Sequence, residues 1–212
     1  CGDCGASHHK WAGKCDSCGA WNSLVEDVEE PNEVTTLAAG MALVPPGEAQ
    51  PINQLDAAVA KPMPTGISEL DRVLDGGLVP GSVTLVGGEP GIGKSTLLLQ
   101  LLSSWPTKSL YVTAEESAQQ VRMRAERLHA LRDDLWLLSE ASISNIISAI
   151  DKVKPELIVI DSIQAVADPA LGSAPGSVVQ VRGCAHRLVQ EAKRRNIPTI
   201  LVGHVTKAGG LA

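Results

Sequence analysis

The sequence predicts an α/β fold in which a mainly parallel sheet carries helices on both faces and follows a small cysteine-rich segment. Short aliphatic runs alternate with stretches of helical periodicity from residue 65 onward, and this alternation is typical of parallel sheets. The chain has no Phe and a single Tyr, so aliphatic side chains must fill its core, as is usual in sheets buried on both faces. Four of the five cysteines lie within the first 18 residues, which sets that segment apart from the sheet.

The chain divides by composition into three predicted regions. Residues 1–22 are rich in Gly and Cys and predict a four-cysteine zinc finger. Residues 23–64 predict a linker, since they are first acidic and then rich in Pro, Ala and Gln, with one strand predicted near residues 41–44. Residues 65–212 predict the α/β core.

Charge and hydropathy exclude several kinds of protein. The net charge of −6 argues against a protein that coats nucleic acid through bulk charge, although it leaves room for local basic loops. No apolar run approaches the roughly 18 residues that a membrane-spanning helix needs. The chain begins at Cys1, without Met and without a signal-like segment, and its cysteine spacing is typical of metal binding. We therefore expect a cytoplasmic protein in a reducing compartment, with no membrane partner.

The elements of the predicted core follow from local patterns. Ser117 and Gln120 form a capping box at the start of one helix, while Ser142 is the expected N-cap of the next, which ends before Pro155. Apolar stripes mark this helix and a later one, at Ile143, Ile146, Ile147 and Ile150, and at Val181, Ala185, Leu188 and Ala192. Strands are predicted at residues 82–87, 109–113, 135–138, 157–161 and 198–203.

A glycine-rich stretch, GGEPGIGKST, joins the first predicted strand to the apolar helix that follows it. It matches GxxxxGK[ST], in which glycines let successive N–H groups point at phosphate oxygens and the helix N-terminus adds its positive dipole. Lys94 is expected to neutralise the β- and γ-phosphates of a nucleotide, and Ser95 to hold Mg²⁺. A glycine-rich turn that fits by accident is the alternative, but the strand before it and the helix after it both suit the motif. The predicted ATP-binding residues are Gly88, Glu89, Pro90, Gly91, Ile92, Gly93, Lys94, Ser95 and Thr96.

Acidic residues at the ends of two other predicted strands complete the expected site. Asp161 ends the run LIVID and is expected to bind Mg²⁺ together with Ser95, although an Asp here also suits a turn or a helix cap. Glu115 and Glu116 follow the second predicted strand, at the edge where ligands bind in open α/β sheets. We expect Glu115 to act as the general base and Glu116 to support it, with Lys94 as the third catalytic residue. The alternative is that both acids only complement the dipole of the next helix.

These motifs together resemble the RecA-like ATPases and, among them, the bacterial RadA (Sms) DNA-repair family. The resemblance is carried by KWAGKCDSCGAWN, TGISELDRVLDGGLVPGS, GGEPGIGKSTLLLQ, YVTAEES, VIDSIQ, GSVVQVR and GHVTK, and it covers nearly all of the chain except the linker. The family implies a DNA-dependent ATPase that binds single-stranded DNA, forms a hexameric ring and, with a RecA-type recombinase, promotes branch migration of recombination intermediates during DNA repair. The chain ends at Ala212, before the family's KNRFG motif and the domain that resembles Lon protease, so we expect a C-terminally truncated core.

The resemblance implies the same roles for the ATP-binding and Mg²⁺-binding residues that the motifs predict. It also implies a second group of residues, which contact DNA or sense the nucleotide. It implies that residues 164–177, beginning with Gln164, form a channel-facing DNA loop, and that His204 and Lys207 sense the γ-phosphate or DNA. Independently of the family, this loop is long and rich in Gly, Ala, Pro and Ser, and loops of that length in a compact domain are usually functional. An uninvolved surface loop is the alternative.

A closed tetrahedral Zn²⁺ site with a structural role is predicted by the C-x₂-C-x₁₀-C-x₂-C spacing of Cys1, Cys4, Cys15 and Cys18. A segment of about twenty residues buries too little apolar surface to fold unaided, and the metal supplies that stability. Disulfides or a single redox pair are the alternatives, but two CxxC pairs in a cytoplasmic protein favour zinc. Trp11 and Trp21 are expected to pack over this finger, with stacking on a DNA base as the alternative.

Other polar residues have simpler interpretations. Cys184 is expected to be a small side chain within a helix, in the core or at an interface. Arg122, Arg124 and Arg127 share a predicted helix, and a solvated face is favoured there over contact with DNA or another subunit.

Three functions compete. The first is the DNA-dependent ATPase of repair and recombination. The second is a signalling ATPase resembling KaiC, which shares the residues before the first strand and the paired glutamates but lacks the zinc finger. The third is a binding module gated by ATP without hydrolysis, against which Glu115 and Asp161 argue.

Overall fold

The computed structural model describes residues 13–16, 18–21, 51–54 and 61–204 of a chain that forms two compact units, Cys1–Ala49 and Gln50–Ala212. The predicted strand at residues 41–44 lies outside the described residues, as do four of the singled-out side chains, Cys1, Cys4, Trp11 and Lys207.

The second unit contains one parallel sheet, which confirms the predicted fold class. Its strands are β1 Val83–Gly88, β2 Ser109–Thr113, β3 Leu135–Ser139, β4 Leu157–Asp161 and β5 Thr199–His204. They lie in the order β1-β5-β4-β2-β3, and all neighbouring pairs are parallel. Each strand agrees with its prediction to within one residue at either end. The register places Gly88 beside His204 and Thr113 beside Asp161, so these strands end at the same edge of the sheet.

The described helices are α1 Ser68–Val73, α2 Lys94–Ser104, α3 Ala118–Arg127, α4 Ile143–Val153 and α5 Val178–Arg195. Short 3-10 turns occur at Ile52–Gln54, Ile163–Ala165 and Pro169–Leu171. None of the helices in the described part of the chain is both long and apolar enough to cross a membrane.

The predicted N-cap of α3 forms its expected hydrogen bonds, whereas the predicted N-cap of α4 does not. The capping box of Ser117 and Gln120 is present, which confirms that prediction. Ser142 occupies the N-cap position of α4, but its side chain makes no capping hydrogen bond. The carboxylate of Glu140 instead accepts hydrogen bonds from the backbone N–H groups of Ala141 and Ser142, each at 2.8 Å.

The two faces of the sheet carry separate hydrophobic clusters. Side chains of α2 and α3 pack on one face with Tyr111 and Val159, whereas α4 and α5 pack on the other with Leu110 and Val112. This division follows from the alternation of side chains along a strand. Cys184 belongs to the second cluster and is buried, which confirms the prediction of a small core side chain.

The segment before β1 is attached to the core by backbone contacts. The N–H groups of Met63 and Leu78 each donate to the carbonyl oxygen of the other residue at 2.8 Å. Gly77, with φ of 134°, lies so close to Met63 that a Cβ atom would meet its carbonyl group. Met63, which the sequence assigned to the linker, is therefore paired with the core.

In the first unit, a tight turn surrounds the second cysteine pair. The N–H group of Cys15 donates to the carbonyl oxygen of Ala20, and that of Gly19 donates to the carbonyl oxygen of Cys15, both at 2.8 Å. Gly19 takes a φ of 74°, which such a turn requires. Trp21 is 73% exposed, with the Nζ atom of Lys14 placed 5.6 Å from its ring centroid. Trp21 is thus largely exposed and contacts Lys14 within the finger. Most of the finger lies outside the described residues, so the expectation that Trp21 packs over it stays a prediction.

Candidate functional site

The ends of β1, β2, β4 and β5 surround a cavity of about 290 Å³. Its lining residues come from the loop after β1, the start of α2 and the residues around the other strand ends. They are Pro90, Gly91, Gly93, Lys94, Ser95, Thr96, Thr113, Glu115, Glu116, Arg124, Asp161 and His204. One cavity thus brings together the residues expected to bind phosphate, to bind magnesium and to act in catalysis. Three predicted ATP-binding residues, Gly88, Glu89 and Ile92, do not line it.

A larger cavity, of about 520 Å³, lies at the opposite edge of the sheet. Asp151, Arg195 and Pro198 line it, near the end of α4, the end of α5 and the start of β5. Ligands of open parallel sheets bind at the carboxyl ends of the strands. The glycine-rich loop also lies at that edge, so we assign the candidate site to the smaller cavity.

The loop after β1 needs glycine for two different reasons, backbone conformation and close approach. Gly91 and Gly93 have φ values of 81° and 102°, a region that favours glycine whatever the surrounding space. Gly88 is instead a position of close approach, since a Cβ atom there would lie 3.3 Å from Ile92 and 3.6 Å from Lys94. Gly93 is also the N-cap of α2, so no capping side chain competes for the first N–H groups of that helix.

Lys94 is held inside this loop. Its side chain amine donates to the carbonyl oxygens of Gly88 at 2.7 Å and Glu89 at 2.9 Å, and the residue is 8% exposed. A buried ammonium group requires such partners. The positive charge is therefore fixed at the centre of the loop, where an anionic ligand can bind it.

Two oxygen-bearing side chains lie where a cation would bind. Asp161 ends β4 and Ser95 lies in the first turn of α2, and both line the cavity. The hydroxyl of Tyr111 donates a hydrogen bond to Oδ2 of Asp161 at 2.6 Å. Burial, followed by the charge of Asp161, raises the pKa of Tyr111 far above its ordinary value. Carboxylate and hydroxyl oxygens are ligands that Mg²⁺ prefers, so this pair fits that ion.

The two adjacent glutamates have different surroundings. Glu115 is 48% exposed and accepts a short hydrogen bond from the Ser162 hydroxyl. Glu116 is 34% exposed and forms an ion pair with Arg124 at 2.9 Å. The hydrogen bond to Glu116 raises the pKa of Arg124, so the guanidinium stays charged and neutralises that carboxylate. Among the described residues, no Arg or Lys side chain forms an ion pair with Glu115.

The start of α3 does not depend on these acids. Ser117 and Gln120 satisfy its first backbone groups, and its first turn contains no acidic residue. The capping of α3 is therefore complete without Glu115 and Glu116, and the alternative that they only complement the helix dipole stays open.

His204 connects the lysine to the proposed base. Its Nδ1 atom lies 3.4 Å from Nζ of Lys94, and its Nε2 atom lies 3.4 Å from Oε1 of Glu115. Gln164 donates from Nε2 to the carbonyl oxygen of His204 at 3.4 Å. These distances are long for hydrogen bonds, so the contacts orient the groups without holding them tightly.

The predicted DNA loop, residues 164–177, is packed against α5. The side chain of Gln180 donates to the carbonyl oxygens of Asp168 and Ser173, and it accepts from the N–H group of Asp168. Asp168 also forms an ion pair with Arg187 at 2.6 Å, while Leu171 lies in the space left by Gly183. The loop is thus anchored on one side of its following helix.

Sequence reasoning missed three contributors to the site. Tyr111 contacts Asp161 and Ser162 contacts Glu115, and neither contact has a local sequence signal because each joins distant parts of the chain. Arg124 was expected on a solvated face, which is wrong because α3 turns Val121 and Ala125 inward and places Arg124 beside the cavity. Arg122 and Arg127 are exposed, as expected. Arg124 follows the buried Val121 by three residues, and this helical spacing indicates that the two side chains lie on the same face of α3.

Comparison with known proteins agrees with this arrangement. The family described as an AAA domain matches residues 48–210, and a rubredoxin metal binding domain matches residues 1–26. The whole chain is similar to the proteins named DNA repair protein RadA from Pseudomonas aeruginosa, Escherichia coli and Bacillus subtilis, with 49%, 46% and 43% identity. It covers 47% of each of these relatives, so the chain spans about half of their length.

The match to the AAA domain includes every strand of the sheet and the whole lining of the cavity. The chain therefore belongs to the AAA-domain family, within the group of bacterial RadA proteins.

Proposed function

We propose that this chain binds Mg·ATP at the carboxyl edge of its sheet and hydrolyses it as the ATPase part of a DNA-repair protein. The observation that carries the proposal is one cavity whose lining includes the buried Lys94, Glu115 and the Ser95–Asp161 pair. The names of its relatives support a role in DNA repair.

In this proposal, the loop N–H groups and Lys94 bind the β- and γ-phosphates. Ser95 and Asp161 hold Mg²⁺, which supplies charge neutralisation on the phosphate oxygens. Lys94 exchanges its bonds to the Gly88 and Glu89 carbonyl groups for bonds to phosphate oxygens. Because those carbonyl groups lie within the loop, the exchange requires only a small movement of the side chain.

Glu115 acts as the general base. It accepts a proton from a water molecule whose oxygen forms the new bond to the γ-phosphorus, while the bond from that phosphorus to the β–γ bridging oxygen breaks. The products are ADP and inorganic phosphate. Ser162 and His204 orient the Glu115 carboxylate, and the ion pair of Glu116 with Arg124 keeps a second negative charge from acting on the nucleotide.

The further roles come from the family and the position of the loop. We propose that residues 164–177 contact single-stranded DNA, with Gln164, His204 and Lys207 linking that contact to the nucleotide. Hydrolysis stimulated by DNA, cooperation with a RecA-type recombinase in branch migration, assembly into a ring and a place in the cytoplasm belong to the same proposal.

The N-terminal unit is proposed to hold a structural Zn²⁺ ion through Cys1, Cys4, Cys15 and Cys18. The rubredoxin-type match to residues 1–26 supports a metal there. The backbone turn from Cys15 to Ala20 has the tight form that presents a cysteine pair to one ion.

The direct test is steady-state ATP hydrolysis with and without single-stranded DNA, using Lys94→Ala as the blank. Turnover that rises with DNA and disappears in the variant supports the proposal. Turnover at the same rate with and without DNA contradicts the DNA-dependent part of the proposal and favours a signalling ATPase. Tight Mg·ATP binding without turnover contradicts the enzymatic part and favours the gated binding module.

A further inference from the structure

Tyr111 is a polar side chain buried among apolar ones. It lies in the middle of β2, within the hydrophobic cluster formed with α2 and α3, and it is almost fully buried. Its hydroxyl reaches out of that cluster and donates to Oδ2 of Asp161 at 2.6 Å. Tyr111 begins the YVTAEES motif, but neither the sequence patterns nor the resemblance gave it a role.

The strand register explains how the phenol reaches the carboxylate. Tyr111 is paired with Val159, and Thr113 with Asp161, so Tyr111 and Asp161 lie on the same face two residues apart along neighbouring strands. A tyrosine is long enough to cover that diagonal. The hydroxyl thus contacts one of the two side chains that are assigned to Mg²⁺.

The direction of this hydroxyl is fixed by packing. Leu99 from α2 and Val121 from α3 belong to the same buried cluster as the ring, and all three residues are at most 2% exposed. Close packing of this kind limits the movement of the ring, and with it the movement of the hydroxyl.

We propose that Tyr111 is a positioning residue for the cation, which holds Asp161 by Oδ2 and directs its other oxygen toward Mg²⁺. This inference rests on the proposed function, because it concerns the Mg²⁺ of the bound nucleotide. Hydrogen bonds to metal-binding carboxylates commonly change metal affinity by about 10- to 100-fold when they are removed. The alternative role is purely structural, since a buried tyrosine needs a partner for its own hydroxyl.

Tyr111→Phe separates these roles because it removes one oxygen and keeps the ring. We would measure binding of a fluorescent ATP analogue at increasing Mg²⁺ concentrations, without turnover. The expected result is an increase of about tenfold in the Mg²⁺ concentration that gives half-maximal binding, with affinity restored when Mg²⁺ is saturating. Ser109→Ala is the matched control, because Ser109 lies at the other end of β2 and its buried hydroxyl has no partner within the described residues. The control is expected to bind like the wild type.

A double variant tests whether Tyr111 acts through Asp161. If it does, Tyr111→Phe has no further effect on Mg²⁺ dependence once Asp161→Asn is present, whereas independent effects add. Unchanged or tighter Mg²⁺ dependence in Tyr111→Phe overturns the inference, as does additivity in the double variant. If nucleotide binding by the wild type does not depend on Mg²⁺ concentration, the proposed function is overturned, and the inference with it. Far-UV circular dichroism and thermal unfolding verify that each variant is folded before it is titrated.

Discussion

The loop after β1 and the loop after β4 leave the same edge of the sheet and are both rich in glycine, but different contacts hold them. The first is held by its own residues, because Gly91 and Gly93 set its backbone and Lys94 bonds to its carbonyl groups. The second, residues 164–177, is held by α5 through Gln180 and Arg187.

This difference separates two ways of building a functional loop. A loop that holds itself presents a fixed surface to one chemical group, such as a phosphate. A loop held by a neighbouring helix keeps its position only while that helix keeps its contacts. Substitutions in the first loop should therefore change ligand binding, and substitutions in the contacts of the second should change stability and loop position.

The largest effect is expected from Gln180→Ala. Gln180 is 2% exposed and satisfies three backbone groups of the second loop. Leaving those groups without partners costs about 3 kcal/mol of unfolding free energy, at roughly 1 kcal/mol for each group. Urea unfolding followed by circular dichroism measures this loss, and nucleotide affinity is expected to stay near that of the wild type.

Gln190→Ala is the control for that change. Gln190 lies on the same helix and bonds only to the exposed His186 among the described contacts. Removal of the Gln190 side chain should lower the free energy of unfolding by less than about 0.5 kcal/mol. Equal losses in the two variants would contradict the idea that α5 anchors the loop through specific contacts.

Gly93→Ala is expected to have the next largest effect. It should change the affinity for Mg·ATP instead of the free energy of unfolding. A side chain at a φ of 102° is strained by about 2 kcal/mol, and relief of that strain turns the loop N–H groups away from the phosphates. The affinity for Mg·ATP should fall by roughly thirtyfold, which is that energy expressed as a ratio.

Gly172→Ala is the matched variant in the second loop. Gly172 has a φ of 59° and no atom near its Cβ position, so the substitution introduces strain of the same kind without a clash. Titration of both variants with a fluorescent ATP analogue should weaken binding in Gly93→Ala alone. A similar loss of affinity in Gly172→Ala would remove the distinction between the loops.

The smallest effect concerns Glu140, which holds the start of α4 next to the second loop. Its carboxylate accepts from Ala141 and Ser142, while the carbonyl oxygen of Ala141 accepts from Ala167 in that loop at 2.9 Å. A backbone hydrogen bond from Ser142, and then one from the Asn145 side chain, lower the pKa of Glu140 below its ordinary value of 4.5.

The pH dependence follows from the sign of this shift. A lowered pKa in the folded protein means that the stabilisation is complete above the ordinary pKa and is lost as the pH falls through the folded value. Glu140→Gln should therefore remove part of the stability at neutral pH, less than about 1 kcal/mol because solvent screens the carboxylate. Urea unfolding should show a smaller difference between variant and wild type at pH 3 than at pH 7. A constant difference at both pH values would assign the effect to packing.

The same contrast explains what the sequence predicts and what it leaves out. The strands, the capping box at Ser117 and the phosphate loop are local patterns, and each appears where it was expected. At α4, Ser142 occupies the predicted N-cap position without a capping hydrogen bond from its side chain, and Glu140 instead holds the backbone of Ala141 and Ser142 just before the helix. No rule of spacing along the chain signals that choice.

Contacts between distant residues account for the rest. The pairs Tyr111–Asp161 and Ser162–Glu115 depend on the order of strands in the sheet, which periodicity does not define. Arg124 was assigned to a solvated surface because charge alone was considered, without the inward stripe of its helix. The residues of the site were thus largely predictable, and the groups that orient them were not.

The central claim is that Glu115 acts as the base in the cavity at the carboxyl edge. The most direct measurement is single-turnover hydrolysis of saturating Mg·ATP by Glu115→Gln, with Mg·ATP affinity measured in parallel. The account predicts that the rate falls by about 10²- to 10⁴-fold, as expected for loss of a general base, while the affinity stays close to that of the wild type. A hydrolysis rate equal to that of the wild type, with Mg·ATP bound, would contradict it.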